Sequence, residues 1–478
     1  MLSKDNTQKS IDVCWFRQDL RLKDNPALLN AAKSGHVLPI YILDDVNAAE
    51  NKMGKASRIW LHHSLLHLNN LLDGKLLLFY GCALSVIKKI VKENRINSIH
   101  WNRCYEPWRI CRDKKIKQYL LQFGIKTFSY KANLLWEPWE VLKADSSPYK
   151  VFTHFYKNAL LQKESIEESL PAPRNIKYAA AKVESCALES LNLITDPIHA
   201  SKIMQYWTPK EETARQVFDQ FLTKSVFEYK KARDFPARDG ASKLSPYLHF
   251  GQISPRTVWN CARLATQGQG LDTFLTEVGW REFSYYLLYH FPHLPEKNLQ
   301  EKFNKFPWHK EEDLFEKWKR GQTGYPIVDA GMRQLLSTGY MHNRVRMIVG
   351  SFLTKNLFLH WKLGERWFWQ NLFDADLASN SASWQWVAGC GVDASPYFRV
   401  FNPVMQGQKF DASGSYIKSY VKELEHLPSK HVFKPWEAHK DLLNTAGIKL
   451  GQSYPYPIVD LQQSRQRAIE EYKLLKEK

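Results

Sequence analysis

From Ile11 to about Tyr130 the chain alternates short apolar runs with longer amphipathic ones. The runs IDVCWF, VLPIYIL, KLLLFYG, SIHWNR and IKTFSY read as strands, and the intervening stretches 57–72 and 85–94 carry helical spacing of their apolar residues. Strands that alternate with helices build βαβ units, so a Rossmann-like parallel sheet is predicted for residues 1–134. Around Trp207 the pattern changes. Thr208 can cap a helix with Pro209 in its first turn, and Ala214, Val217, Phe218, Phe221 and Leu222 then fall on one buried stripe. From there to the C-terminus the pattern is helical and rich in aromatics, which predicts an all-α domain over 206–478. Residues 135–205, richer in Pro, Ser, Ala and Lys and weakly periodic, read as an interdomain connector.

The 478 residues exceed what one core usually supports, in keeping with two units. No stretch of about 18 apolar residues is present to span a bilayer, and the opening MLSKDNTQKSIDV lacks the apolar core of a signal peptide. A monomer in the cytoplasm is expected, without a membrane partner. Seven scattered cysteines form no C-x-x-C pair and give no metal cluster. The net charge of +18 is what a polyanion partner selects, although a basic enzyme with no nucleic-acid role has the same charge. Seventeen tryptophans can serve as core, as stacking platforms or as redox relays, and only position separates these uses. No G-x-G-x-x-G follows the first strand, which weakens a nicotinamide reading.

Four segments combine residues able to do chemistry. In 374–386, DADLASNSASWQW, Asp374 and Asp376 share a turn, with Asn380 and Trp384 one helical turn apart. Such a pair can cap a helix or hydrogen-bond a heterocycle, and no further ligand completes a metal shell. In YMHNRVRM, Asn343, Arg346 and Met347 lie on one face, and the two arginines call for carboxylate or phosphate partners. The loop GASKLSP (240–246) offers the hydroxyls, ammonium and backbone N–H groups that suit a diphosphate or simply cap a helix. In EVGWREF, Glu277, Trp280 and Arg281 share a face suited to a stacked base or to a surface ion pair beside a core indole.

Taken in order, these segments resemble the flavin-binding domain of the photolyase/cryptochrome family, and closest to it the class I-type photolyases that act on cyclobutane pyrimidine dimers. WFRQDLRLKDNPAL (15–28), TGYPIVDAGMRQLLSTGYMHNRVRM (323–347) and FDADLASNSASWQWVAGCGVDASPYFRVFNPVMQGQKFD (373–411) are similar to the family's signatures, with the resemblance fading in 135–205 and after about 440. It implies an α/β antenna domain, a helical domain holding FAD that is active when reduced, and light-driven splitting of dimers in UV-damaged DNA. Tyr229, Ser242, Lys243, Leu244, Ser245, Arg281, Asn343, Arg344, Asp374, Ala375, Asp376 and Asn380 would contact FAD, with Arg344 pairing Asp374 and Asn380 facing flavin N5. Arg233, Glu277, Trp280, Asn343, Arg346, Met347, Trp386 and Gln406 would surround the flipped lesion. Glu277 and Asn380 would act in the reaction, and Trp384, Trp361 and Trp308 would relay an electron to oxidised FAD.

A cryptochrome shares the fold and flavin without repair, and a 6–4 photoproduct enzyme would call for a histidine pair where this chain reads MHNR. A binding module without flavin fits the charge but not the flavin constellation. In folate-binding relatives an acid within the segment matching 105–113 helps hold the antenna; YEPWRICRD presents Trp108 and Arg109 there, with Glu106 nearby. A second chromophore is expected, with methenyltetrahydrofolate, a deazaflavin, another flavin or an empty pocket left open.

Overall fold

The structure, a computed structural model, describes residues 10–162, 166–394 and 399–477. The N-terminal nine residues, on which the reading of the leader rests, and 395–398 of the last signature lie outside the described residues.

All five strands form where the apolar runs place them: β1 (Ile11–Phe16), β2 (His36–Leu43), β3 (Leu77–Tyr80), β4 (Ile96–Asn102) and β5 (Lys126–Tyr130), parallel throughout, in the order β3-β2-β1-β4-β5. Helices α1 (Pro26–Ser34), α2 (Lys55–Leu71), α3 (Ala83–Glu93) and α4 (Pro107–Gln122) are the crossovers. Side chains alternate across a strand, so each face has its own core. Val13, Trp15, Ile40 and Ile99 pack outward against Ile87, Ile90, Ile116 and Leu120 of α3 and α4. Cys14, Phe16 and Tyr41 point the other way into a core that runs through Trp60 of α2 to Phe218, Tyr247, Phe250 and Trp259. The sheet and the helical half therefore share one apolar interior.

The stretch read as a connector contributes to that interior. It forms α5 (Phe152–Gln162) and α6 (Pro197–Met204), and Phe152, Phe155, Ala159, Leu191 and Ile203 are buried. Its apolar residues are too sparse to display a period, yet they are paired with partners far along the chain. In the helical half, α7 (Glu211–Lys224) begins three residues after Thr208, because the Thr208 carbonyl accepts from Lys210 N and from Tyr247 Oη; Ala214, Phe218, Phe221 and Leu222 are buried as expected. The site is then framed by α8 (Ser245–His249), α9 (Pro255–Ala265), α10 (Gln269–His290), α11 (Pro326–Thr338), α12 (Asn343–Ser351), α13 (Trp361–Asn371), α14 (Leu377–Ala388), α15 (Pro403–Phe410) and the C-terminal α16 (Leu461–Glu477).

The halves are tied by buried polar contacts. Arg21 donates to the Gly251 carbonyl at 2.7 Å, Trp60 Nε1 to Gln252 at 2.9 Å, and Arg256 of α9 pairs with Asp24. Glu282 of α10 accepts from the Leu135 backbone N–H, and burial pushes its carboxyl up to about 7.

Candidate functional site

Between α13 and α14 the chain makes the turn that carries Asp374, Ala375 and Asp376. Asp376 caps α14, its Oδ1 accepting from Ser379 N at 2.7 Å, while Oδ2 accepts from the Tyr285 hydroxyl of α10. His249 Nδ1 stands 3.7 Å from Oδ2. Burial alone raises such a carboxyl; the nearby His249 imidazole and the Tyr285 and Ser379 donors outweigh it and hold Asp376 at about 2, so it is a carboxylate at any working pH. Arg281 lies 4.9 Å from the Tyr285 ring and donates to Glu282 and to the Asn133 carbonyl.

Asp374 is paired by Arg346, at 2.8 Å, and accepts from Ser245 Oγ at 2.5 Å. The expected Arg344–Asp374 pair does not form: Arg344 turns to Asp234 at 2.7 Å and stacks over Phe410. Two positions along α12 amount to about 200° of rotation, so only one of the two arginines can face the turn. Asn380, one turn into α14, donates to the Glu365 carbonyl and carboxylate at 3.0 and 3.2 Å. Burial pushes Glu365 up to about 7. Leu244 and Tyr229 are buried close by, Ser242 is half-buried, and exposed Lys243 adopts φ 52° and pairs with Asp239.

A basic cleft of about 800 Å³ opens between Glu228, Lys230, Lys231, Asp234, Phe235, Arg238, Arg344, Arg399, Phe401, Gln406, Lys409 and Phe410. Of the residues assigned to the lesion, Arg233, Glu277, Trp280, Asn343, Arg346, Met347 and Trp386 are not in its lining, whereas Gln406 is. Glu277 is instead held by Arg233, whose guanidinium lies 5.6 Å from the Tyr229 ring. Half-buried Trp280 has one face covered by Phe152, with ring centroids 3.8 Å apart.

Trp361 opens α13 fully buried, its Nε1 donating to Asn298 at 2.8 Å. One turn on, Gly364 meets Trp384 of α14 so closely that a Cβ there would lie 2.1 Å from Cη2. In the other direction Trp361 contacts His360 at 5.6 Å between centroids, and His360 contacts half-buried Trp308 at 5.3 Å. Trp361 and Trp308 are thus linked through His360, while Trp384 packs on Gly364 one turn along α13 and against the rings of Phe368 and Trp318.

The profile of the DNA photolyase domain matches residues 12–174, and that of the FAD-binding domain of DNA photolyase matches 274–474. The deoxyribodipyrimidine photo-lyase of Agrobacterium fabrum is 43% identical, over 97% of this chain and 98% of that protein. The chain belongs to the photolyase/cryptochrome family. Within this family it is also 37% identical to Cryptochrome-2 of Arabidopsis thaliana, over 95% of this chain and 77% of that one. The crystal structure of a bacterial class III photolyase from Agrobacterium tumefaciens superposes with a TM-score of 0.94 at 42% identity, covering all of both chains.

FAD, the cofactor of this photolyase/cryptochrome domain, suits the residues present. Asp374 Oδ1 is buried yet accepts no hydrogen bond from the described residues, an acceptor set for an N–H or O–H donor of a ligand. Arg346, Tyr285, His249 and Glu365 complete this surround and were not read as flavin contacts from the sequence, since their partners stand 15 to 127 positions away. The spacing of Arg346 with Asn343 on one face of α12 was the available signal. The 105–113 segment lines a second, narrow cleft between the two halves. There Glu106 pairs with Arg109 at 3.0 Å, Arg109 lies over Trp108, and Phe250, Trp369, Ala375 and Leu377 form the opposite wall. No group of three or more His, Cys, Asp or Glu residues able to hold a metal occurs among the described residues, and no described helix is long and apolar enough to cross a membrane.

Proposed function

We propose that the protein is a deoxyribodipyrimidine photo-lyase that holds reduced FAD and uses light to split cyclobutane pyrimidine dimers in DNA. The observation that supports this most is the cleft: six cations against two acids, three phenylalanines and a volume within the range of small-ligand sites, lined by Arg344 of the same helix whose Arg346 pairs with Asp374. Its cations suit the flanking phosphates and its rings an extruded pyrimidine dimer. When bound, reduced FAD supplies one electron to the dimer on absorbing light and takes it back after the two cyclobutane bonds open. The chain's residues bind and orient. Asp374 and Asp376 hold the cofactor as hydrogen-bond acceptors, Asn380 stands at the flavin edge, and Arg233 pairs with Glu277 and fixes its position for a hydrogen bond to the lesion. The splitting itself is redox-neutral, because the electron lent to the dimer returns to the cofactor. Trp384, Trp361 and Trp308 would pass electrons inward to oxidised cofactor, drawn from an external thiol reductant in solution that re-reduces the outermost tryptophan.

A second chromophore is part of this proposal, but the narrow interdomain cleft between Trp108, Phe250 and Trp369, at about 30 Å³, is too small to seat it. The 6–4 reading is disfavoured by His342. It is buried, accepts the Arg344 N–H as the cap of α12, and is pushed down to about 4 by burial and by Arg346, so it is no proton donor near neutrality. A signalling cryptochrome is the second reading, favoured by the identity to Cryptochrome-2.

A Glu277→Ala/Trp280→Ala double variant is expected to keep its FAD while losing at least tenfold in dimer affinity or repair yield under limiting light. Full repair by that variant overturns the lesion assignment.

A further inference from the structure

The outer face of the sheet carries a surface that the flavin chemistry leaves unused. α3 and α4 bury Ile87, Ile90, Ile116 and Leu120 beneath them, so Lys88, Lys89, Lys92, Lys114 and Lys115 are turned to solvent. None of these five enters an ion pair with a described residue. The acids of the two helices do not offset them: Asp113 is taken by Arg17 and Arg112, Glu106 by Arg109, and Glu93 alone remains.

Aromatic rings lie among these charges. Lys115, Tyr119 and Phe123 succeed one another at i, i+4 and i+8 along α4 and its C-cap. Lys88 reaches across from α3, its Nζ 5.0 Å from the Tyr119 ring, and Tyr119 meets Phe123 at 4.8 Å between centroids. Phe123 is 59% exposed and Leu121 77%. Large apolar side chains left in water beside unneutralised lysines are the combination that serves stacking and phosphate contact together.

We propose that this face binds single-stranded nucleic acid, with a base stacked on Phe123 and Tyr119 and the phosphodiester backbone along Lys88, Lys92 and Lys115. A duplex keeps its bases stacked inside and has no use for an exposed ring at this site. A lipid surface needs a broad apolar helix face, whereas α4 presents only Leu121 and Phe123 at one end. The site sits on the side of the sheet away from the helical half, so a strand bound here leaves the cleft of α12 and α15 free. It stands independently of the repair reading.

The test uses the full, FAD-loaded protein and labelled lesion-free dT and U oligonucleotides of about 12 nucleotides, by anisotropy over a salt series. For Lys88→Glu/Lys92→Glu/Lys115→Glu, the expected result is at least tenfold weaker binding and a log–log salt slope shallower by about 2, at ~0.7 per phosphate contact. Phe123→Ala should weaken binding about tenfold with the slope unchanged. Affinity for a dimer-containing duplex should stay the same in both variants. Unchanged oligonucleotide binding in both overturns the proposal, since the strand would then occupy the basic cleft. So does tighter binding of phosphatidylserine vesicles than of either oligonucleotide, lost in Phe123→Ala.

Discussion

At the scale of single residues, the turn proposed to hold FAD depends on one charge pair whose carboxylate is buried. Asp374 is only 5% exposed, and Arg346 is the cation within reach. Removing one partner of such a pair strands the other in low dielectric, at a cost of about 3 kcal/mol. Arg346→Leu is therefore expected to lower the thermal midpoint and the FAD retained per chain, whereas Arg344→Leu, which frees only a half-exposed Asp234, should retain FAD; equal FAD content in the two variants would contradict the pairing. Sequence spacing brought Arg346 onto the working face of α12 but did not assign its partner, because Asp374 lies 28 residues on and nothing local selects it over Asp234.

Glu365 gives a pH signature. Burial pushes it up to about 7, against about 4.3 in an unfolded chain. Between those values the folded protein keeps a proton that the unfolded chain has released, so folding stability falls as pH rises through this window and levels off above it. The loss amounts to about 4 kcal/mol. Urea unfolding at pH 5 and pH 8 should show a smaller drop for Glu365→Gln than for the parent chain; an identical drop would mean that Glu365 ionises freely in the fold.

At the scale of elements, the crossing of α13 and α14 sets the place of Trp384. Gly364 is required there by close approach: an added Cβ would meet Trp384 Cη2 at 2.1 Å and Leu353 Cδ2 at 2.6 Å, neither able to yield easily in the core. Gly364→Ala is expected to cost about 1–3 kcal/mol by overpacking. It should also slow blue-light reduction of oxidised FAD by displacing Trp384. Trp384→Phe should slow that reduction at least as much, yet leave dimer splitting by chemically pre-reduced protein intact; undiminished photoreduction would remove Trp384 from the relay. The elements themselves were largely legible, since alternation and helical stripes are local. What escaped was the 135–205 stretch, whose Phe152 and Phe155 become core only through contacts with Trp280, Phe283 and Tyr286 of α10.

At the scale of the whole molecule, the +18 charge and the shared interior give one body with a basic cleft of about 800 Å³. Motif order along the chain made the family legible, while the cleft's lining, drawn from residues 228 to 410, needed the folded chain. Binding of dimer-containing duplex in the dark should weaken steeply between about 50 and 200 mM salt, as phosphate contacts are lost. The central claim is that this fold repairs DNA under light. Its most direct measurement is the loss of cyclobutane dimers from a defined oligonucleotide incubated with the FAD-reduced protein, compared under blue light and in darkness. The account predicts multiple turnovers in light and none in darkness. Dimers that persist under light with the cofactor fully reduced and the oligonucleotide bound would contradict it and leave a light-sensing role for the same flavin.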